Sequence, residues 1–373
     1  MELKQEVDGI VFTFEGMEKQ SEYEINQLLK KNVKTGKQEL IFKSNIEELV
    51  KLCYLGRTIT KVCVLLHKFY SKDIIHDLGN ELNQVNLGDF SLNGKTFRVN
   101  CARKGEHNFS SSDVCNKVGE HFFKNYKVDL TNPEFIIFVF ISGDECTICL
   151  DISGIDLSKR EYKIFSHAAS LNGAIASAFL TYLKITKKEV IVDPFCGSGT
   201  IPIEAALILQ NKSVHFYSKE KFAFQKLIDM DLAEYDKIDE NKLKLFGYDF
   251  LLNCVTSSRK NAKIAGVDKN ITLSKVEVEW LDTKLKEGEV DLIITQPPIL
   301  SNMDNNKKES LFKDFFYQAE NILKKSGKIC MFLESDELLV FKRKFIISEE
   351  FNVMQGNKKM HVVILNNKKK LDN

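Results

Sequence analysis

Apolar positions along this chain recur with two periods, and the balance shifts near residue 160. Upstream, short alternating runs dominate. Ile10-Val11-Phe12-Thr13-Phe14 and Thr96-Phe97-Arg98-Val99-Asn100-Cys101 read as strands, because positions two apart share one face of a pleated backbone. Val62–Leu66 is apolar throughout. Amphipathic helices are predicted over Glu22–Leu29, Ile46–Tyr54, Lys72–Gln84 and Asp113–Tyr126. Phe135–Phe140 predicts a strand that turns at Ser142-Gly143-Asp144 and pairs with Ile148–Ile152. Downstream, helix and strand alternate, which predicts a parallel sheet with helices on both faces. Its strands are expected at Glu189–Asp193, Leu245–Asp249, Val276–Glu279, Asp291–Thr295 and Lys328–Leu333, with a last hairpin, Glu350–Met354 and His361–Leu365, around Gly356. Its helices are expected at Ala169–Tyr182, Gly199–Leu209, Asn253–Ala265 and Glu309–Leu323. The fold class is α/β, a Rossmann-like domain behind an α+β region. The expected divisions are 1–60 as a ferredoxin-like region, 61–155 and 156–373.

At 373 residues the chain is long enough for more than one core. The net charge is +1, and residues 1–155 carry 19 Lys+Arg against 22 Asp+Glu, so any nucleic-acid surface is a local patch. The nine cysteines follow no framework spacing. Cys146-x-x-Cys149 lacks a second pair or a nearby His, so no metal site is expected and buried thiols in a reducing compartment are. No run approaches the ~18 apolar residues of a membrane span, and the acidic N-terminus is unlike a signal peptide. A cytoplasmic protein without membrane contact is expected.

The chemistry concentrates in two segments. Val190-Ile191-Val192-Asp193-Pro194-Phe195-Cys196-Gly197-Ser198-Gly199-Thr200 reads as a buried strand, a glycine turn and a helix start. Such an element seats a nucleotide-like cofactor at the carboxyl edge of a parallel sheet. A phosphate loop is excluded because no Gly-Lys-Ser/Thr follows, and the dinucleotide GxGxxG spacing is absent. The second segment, Asp291–Ile299, is an apolar strand that stops at Gln296-Pro297-Pro298, a rigid corner with free carbonyls. Acids fall at successive strand ends. Asp193 ends the first, Asp249 the second, where a carboxylate can accept both hydroxyls of a ribose, and Asp282 follows the third, where it can accept from an adenine amine. Together these point to an S-adenosylmethionine (SAM) methyltransferase.

Asp193-Pro194-Phe195-Cys196-Gly197-Ser198-Gly199-Thr200-Ile201-Pro202-Ile203-Glu204 resembles the first motif of RNA guanine-N2 methyltransferases that carry a THUMP domain. Leu157-Ser158-Lys159-Arg160-Glu161-Tyr162 with His167–Asn172, and Phe222-Ala223-Phe224-Gln225-Lys226, are similar to further segments of that catalytic domain. Arg103-Lys104-Gly105-Glu106-His107-Asn108-Phe109 and Val128-Asp129-Leu130-Thr131-Asn132-Pro133 resemble the THUMP signature. The G-S-G-T-I-P-I-E turn is most similar to the tRNA enzymes that act at guanosine 6 of the acceptor stem. The resemblance implies a Rossmann-like methyltransferase domain over 156–373, a THUMP domain over 61–155, SAM as cofactor and tRNA as partner. It implies cofactor contacts from Asp193, Phe195, Cys196, Gly197, Ser198, Gly199, Thr200, Asp249, Phe250, Asp282, Thr283 and Gln296. RNA contacts are expected from Lys95, Arg98, Arg103, Lys104 and Arg160. Some relatives need a small activator protein, and a monomer is expected otherwise.

The catalytic corner departs from the family's Asn/Asp-Pro-Pro-Tyr/Phe. Here it is Gln296-Pro297-Pro298-Ile299. The polar side chain and the first proline's carbonyl accept from the exocyclic amine and aim its lone pair. Gln keeps the acceptor on a longer arm. Ile299 offers no π face, and base–aromatic stacking is worth roughly 1–3 kcal/mol. Phe312, Phe315 and Phe316 are candidate replacements, although their helical spacing better suits a core. The residues leave two readings open, an active enzyme with a variant corner and a tRNA-binding or scaffolding homologue that has lost transfer.

Overall fold

The computed structural model describes residues 2–166, 170–298 and 304–367. The chain divides into two compact units that are not continuous in sequence. The first takes the amino-terminal stretch to Thr13, then 21–157 and 215–235; the second takes 14–20, 158–214 and 236 onward.

The first unit is built on eight strands: β1 (Glu6–Thr13), β2 (Lys34–Thr35), β3 (Glu39–Asn45), β4 (Ile59–Tyr70), β5 (Thr96–Lys104), β6 (Lys127–Val128), β7 (Phe135–Ser142) and β8 (Glu145–Asp151). Their order is β2-β3-β1-β4-β8-β7-β5-β6. The predicted hairpin is β7–β8, paired antiparallel, while β5 runs parallel to β7. The expected boundary at residue 60 falls inside this sheet, because β1 pairs with β4 and β4 with β8. Helices are α1 (Glu18–Leu29), α2 (Ile46–Leu55), α3 (Ile74–Glu81) and α4 (Ser111–Phe123). Capping boxes fix two of them: Asn45 with Glu48 starts α2, and Ser110 with Asp113 starts α4. α2, α3 and α4 bury Leu49, Leu78 and Val118 in one core with Phe97, Ile137 and Leu150 of the sheet.

The second unit contains α5 (Gly173–Tyr182), β9 (Val190–Asp193), α6 (Thr200–Leu209), β10 (Lys244–Asp249), α7 (Leu252–Ala265), β11 (Ile271–Lys275), β12 (Val290–Thr295), α8 (Asn305–Ile322), β13 (Leu323–Leu333), β14 (Phe345–Gln355) and β15 (Lys358–Asn367). The strand order is β11-β10-β9-β12-β13-β15-β14, parallel from β11 to β13, with β15 antiparallel to both its neighbours. Cores form on both faces of the sheet. Strand order reverses at β9 and β12, the place where such sheets open a ligand crevice at their carboxyl ends.

One expected strand is corrected. Val276–Glu279 is not a strand; the third strand is β11, five residues earlier, with Ile271 and Leu273 turned inward. Val278–Thr283 is a 3₁₀ turn that buries Val278 and Leu281 against the second face of the sheet. The expected start of α5 at Ala169 lies outside the described residues; Asn172 caps the helix, its Oδ1 accepting from Ala174 N at 2.8 Å.

Residues 14–20 carry fully buried Met17 into the core of the second unit. Met354 N donates to Glu15 O at 3.0 Å. Gly16 has φ +89°, and a Cβ there would stand 1.8 Å from Asn352 O, so no other residue fits.

Candidate active site

At the switch point the turn after β9 is held from several directions. Gly199 has φ +84°, and a Cβ on it would press on Ser258 Cβ at 3.0 Å. Ser258 Oγ donates to Gly197 O at 2.7 Å, and Asn261 Nδ2 to Ser198 O at 3.0 Å. Ser170 Oγ lies 2.9 Å from Ser198 Oγ and 3.4 Å from Thr200 Oγ1. Cys196 N donates to Tyr248 O at 2.8 Å, tying the turn to β10, and burial pushes its thiol up.

Two carboxylates stand in this frame. Asp193 is 2% exposed; Thr295 Oγ1 donates to its Oδ1 at 2.6 Å and Phe195 N at 3.2 Å. Burial pushes its carboxyl up to about 7, and the neighbouring Asp249 adds to the shift. Asp249 accepts from Gly197 N at 3.0 Å on one oxygen and from Leu251 N at 2.9 Å on the other. The end of β10 thereby holds the end of β9. Around these groups opens a cleft of about 530 Å³. Asp193, Phe195, Cys196, Gly197, Ser198, Thr200, Asp249, Phe250 and Gln296 all line it, as do Pro297 and Pro298. Gly199 shapes the turn behind it. Asp282 and Thr283 do not line it: both are exposed on the 3₁₀ turn, with Asp282 N donating to Gln318 Oε1 and Thr283 Oγ1 to Trp280 O. β11 ends at Lys275, and the 3₁₀ turn that follows carries both residues away from the cleft. The cleft also uses Ser170, Leu251, Asn253 and Ser257, which the motif reading missed. The signal for the last two is their i,i+4 spacing just past Asp249, which puts both on one face of α7.

Gln296, Pro297 and Pro298 also line a second cleft, of about 470 Å³, with residues from the start of α8, the end of β13 and the turn at 337–341. Ile299 and His167 lie outside the described residues. Of the aromatic replacements, Phe315 and Phe316 are core residues, packed on Phe195 and Phe345, whereas Phe312, 3% exposed, reaches the second cleft.

The expected RNA contacts separate. Along β5, Arg98 and Lys104 share one face while Arg103 faces the other, as alternation requires. Arg98 Nη1 donates to Leu130 O at 3.1 Å, and Lys104 Nζ to Gln38 Oε1 at 2.9 Å. Arg103 Nε donates to Ser111 Oγ at 3.2 Å, with its guanidinium 5.4 Å from the Phe109 ring centre. Lys95 pairs with Glu134 at 3.0 Å. All four are partly exposed. Arg160 is a correction. Its side chain is 0% exposed and its Nε donates to fully buried Glu204 at 2.8 Å, alongside Tyr162 Oη at 2.7 Å and Ser177 Oγ. A buried carboxylate in the middle of α6 requires a cationic partner, and Arg160 is that partner instead of an RNA contact.

Residues 160–364 match the model of the RMKL-like methyltransferase domain, more than half of the chain. The chain belongs to that family. Residues 73–151 of this RMKL-like methyltransferase match the THUMP domain. It is 31% identical to the tRNA (guanine(6)-N2)-methyltransferase of Methanocaldococcus jannaschii, over 94% of this chain and 97% of the relative. Identity to the protein of the same name from Archaeoglobus fulgidus is also 31%, over 78% and 73% of the two. A solved methyltransferase complexed with SAH shares the fold, at TM-score 0.81 and 20% identity, over 98% of this chain and 99% of that one.

Proposed function

We propose that this protein transfers the methyl group of SAM to the N2 amine of guanosine in tRNA, at position 6 of the acceptor stem. The observation that carries the reading is the Gln296-Pro297-Pro298 corner standing in the wall of a cleft built from the glycine turn, Asp193 and Asp249. The cleft fits the cofactor. Asp193 is a buried carboxyl suited to an ammonium group. Each oxygen of Asp249 accepts one backbone N–H and keeps a lone pair for a ribose hydroxyl. Phe250 and Leu251 offer apolar surface for a purine.

Bound there, SAM supplies an electrophilic methyl on a sulfonium. The chain supplies alignment. Gln296 Oε1 and the Pro297 carbonyl accept hydrogen bonds from the guanine amine and point its lone pair toward the cofactor cleft. The two prolines hold these acceptors rigid. Residues 61–155, with the strands of 1–60 extending their sheet, grip the tRNA through the cations of β5, while 156–373 carry out transfer. The protein works as a monomer in the cytoplasm; no helix among the described residues is long and apolar enough to cross a membrane.

The test is incorporation of labelled methyl into unmodified tRNA, with the nucleotide mapped by mass spectrometry. Wild type should modify guanosine 6. Gln296→Ala should slow transfer about a hundredfold while leaving calorimetric SAM affinity within twofold. Asp249→Ala should instead lose SAM binding. Full activity of Gln296→Ala, or no transfer by wild type, would refute the reading.

A further inference from the structure

The second cleft begins where the catalytic corner ends. β12 and β13 are parallel, with Ile294 opposite Cys330 and Thr295 opposite Met331. Pro298 lies three residues past Thr295, and Glu334, the first residue beyond β13, lies three past Met331. Glu334 and the corner line the same cleft. Its ion pair with Lys358 is long, 3.8 Å, and the two side chains are 45% and 72% exposed, so it yields easily to a better partner. The other acids of the cleft are placed differently: Glu309 pairs with Lys313 along α8, and Glu337 sits farther on, in the 3₁₀ turn.

Resting on the function proposed above, we propose that Glu334 reads the target guanine in this second cleft. The Watson–Crick edge of guanine presents N1–H and N2–H side by side. An ionised carboxylate is acceptor-only, with two oxygens spaced to take both donors. Adenine offers an acceptor at N1 and no amine at C2, so the same carboxylate repels it. One hydrogen of the amine then goes to Glu334, and the other is shared between Gln296 Oε1 and the Pro297 carbonyl. The nitrogen is held from two sides with its lone pair left over. Phe312, Leu333 and Val340 supply apolar wall for the base. This gives the corner a substitute for the missing aromatic: orientation by a two-pronged hydrogen bond in place of stacking.

The experiment compares tRNA transcripts carrying guanosine or 2-aminopurine at the nucleotide wild type methylates. 2-Aminopurine keeps the amine but turns N1 into an acceptor. Wild type should favour guanosine by at least tenfold in kcat/KM. Glu334→Gln, whose amide can donate to that acceptor, should shrink the preference at least tenfold with SAM affinity unchanged. Glu334→Ala should slow transfer to guanosine and, by lifting the repulsion of N1, make 2-aminopurine react at least as fast as in wild type. A guanosine preference that survives both substitutions overturns the proposal while leaving the methyltransferase reading intact. No transfer by wild type overturns both.

Discussion

The cofactor cleft and strand β5 both gather charge, but they hold it by different means. In the cleft, Asp193 and Asp249 take their hydrogen bonds from the backbone of the turns they anchor and from one hydroxyl. Each carboxylate is buried, so it is part of the frame as well as of the binding surface. On β5 the cations stand in half-solvated positions, and each leans on a local acceptor or ring. The cleft is specific because it is desolvated and pre-arranged. The β5 surface suits a partner whose charge is spread along a backbone, where cations add in small, salt-screened increments.

Three measurements bear on that contrast. The largest effect concerns Arg160, which the structure moves from the exposed group to the buried one. Arg160→Ala leaves Glu204 without its cation and should cost about 3–5 kcal/mol in urea unfolding, with no change in the salt dependence of tRNA binding beyond that of unfolding. A stable variant with a shallower salt slope would return Arg160 to the RNA surface.

The intermediate effect is proton-linked. Burial pushes the Asp193 carboxyl up to about 7, far above the ordinary ~3.9, so near neutral pH its proton competes with a cationic ligand. Binding of a cationic ligand needs the ionised form. SAM affinity should therefore be about tenfold weaker at pH 6 than at pH 8, and Asp193→Asn should bind weakly at both. The sign for stability is opposite. The folded protein holds this proton more tightly than the unfolded chain, so the contribution is present below pH ~4 and lost as pH rises through 7. Calorimetry at several pH values checks the first, and melting temperatures of the apo protein check the second. A SAM affinity flat from pH 6 to 8 would remove Asp193 from ligand binding.

The smallest effect should come from β5. Arg98→Glu with Lys104→Glu alters one face of the strand, and Arg103→Glu the other. The face that meets RNA should lose affinity several-fold and flatten its salt slope by about one unit per cation; the other should not. Equal losses on both faces would mean that RNA wraps the strand's end instead of lying on one side.

How much of this was legible in sequence follows from where each site keeps its parts. The glycine turn, Asp193 and the start of α6 are contiguous, so a single run of letters contains the site's frame. The corner at Gln296 is equally local. The second cleft was invisible because Glu334, Phe312 and Val340 come from a strand end, a helix and a 3₁₀ turn, with no motif joining them. Asp282 stands apart from the cleft lining because Val276 and Val278, which alternate as a strand does, pack from irregular backbone. Arg160 and Arg103 look alike in sequence. Only the position of Glu204, forty-four residues on, separates a buried counter-ion from a surface cation.

Met17 and Gly16 carry a consequence for anyone who would take the molecule apart. Residues 14–20 complete the core of the second unit, and 215–235 return to the first. A single cut after Leu157 therefore yields two fragments, each missing a piece of its own interior. The carboxyl-terminal fragment would carry a Met17-sized void and an uncovered stretch of β14 at Asn352, and the amino-terminal one would lack Phe222 and Phe224. The gene cannot be split at a single linker into two whole units. To separate them, segments that alternate along the chain would have to be rejoined unit by unit, which truncation does not do.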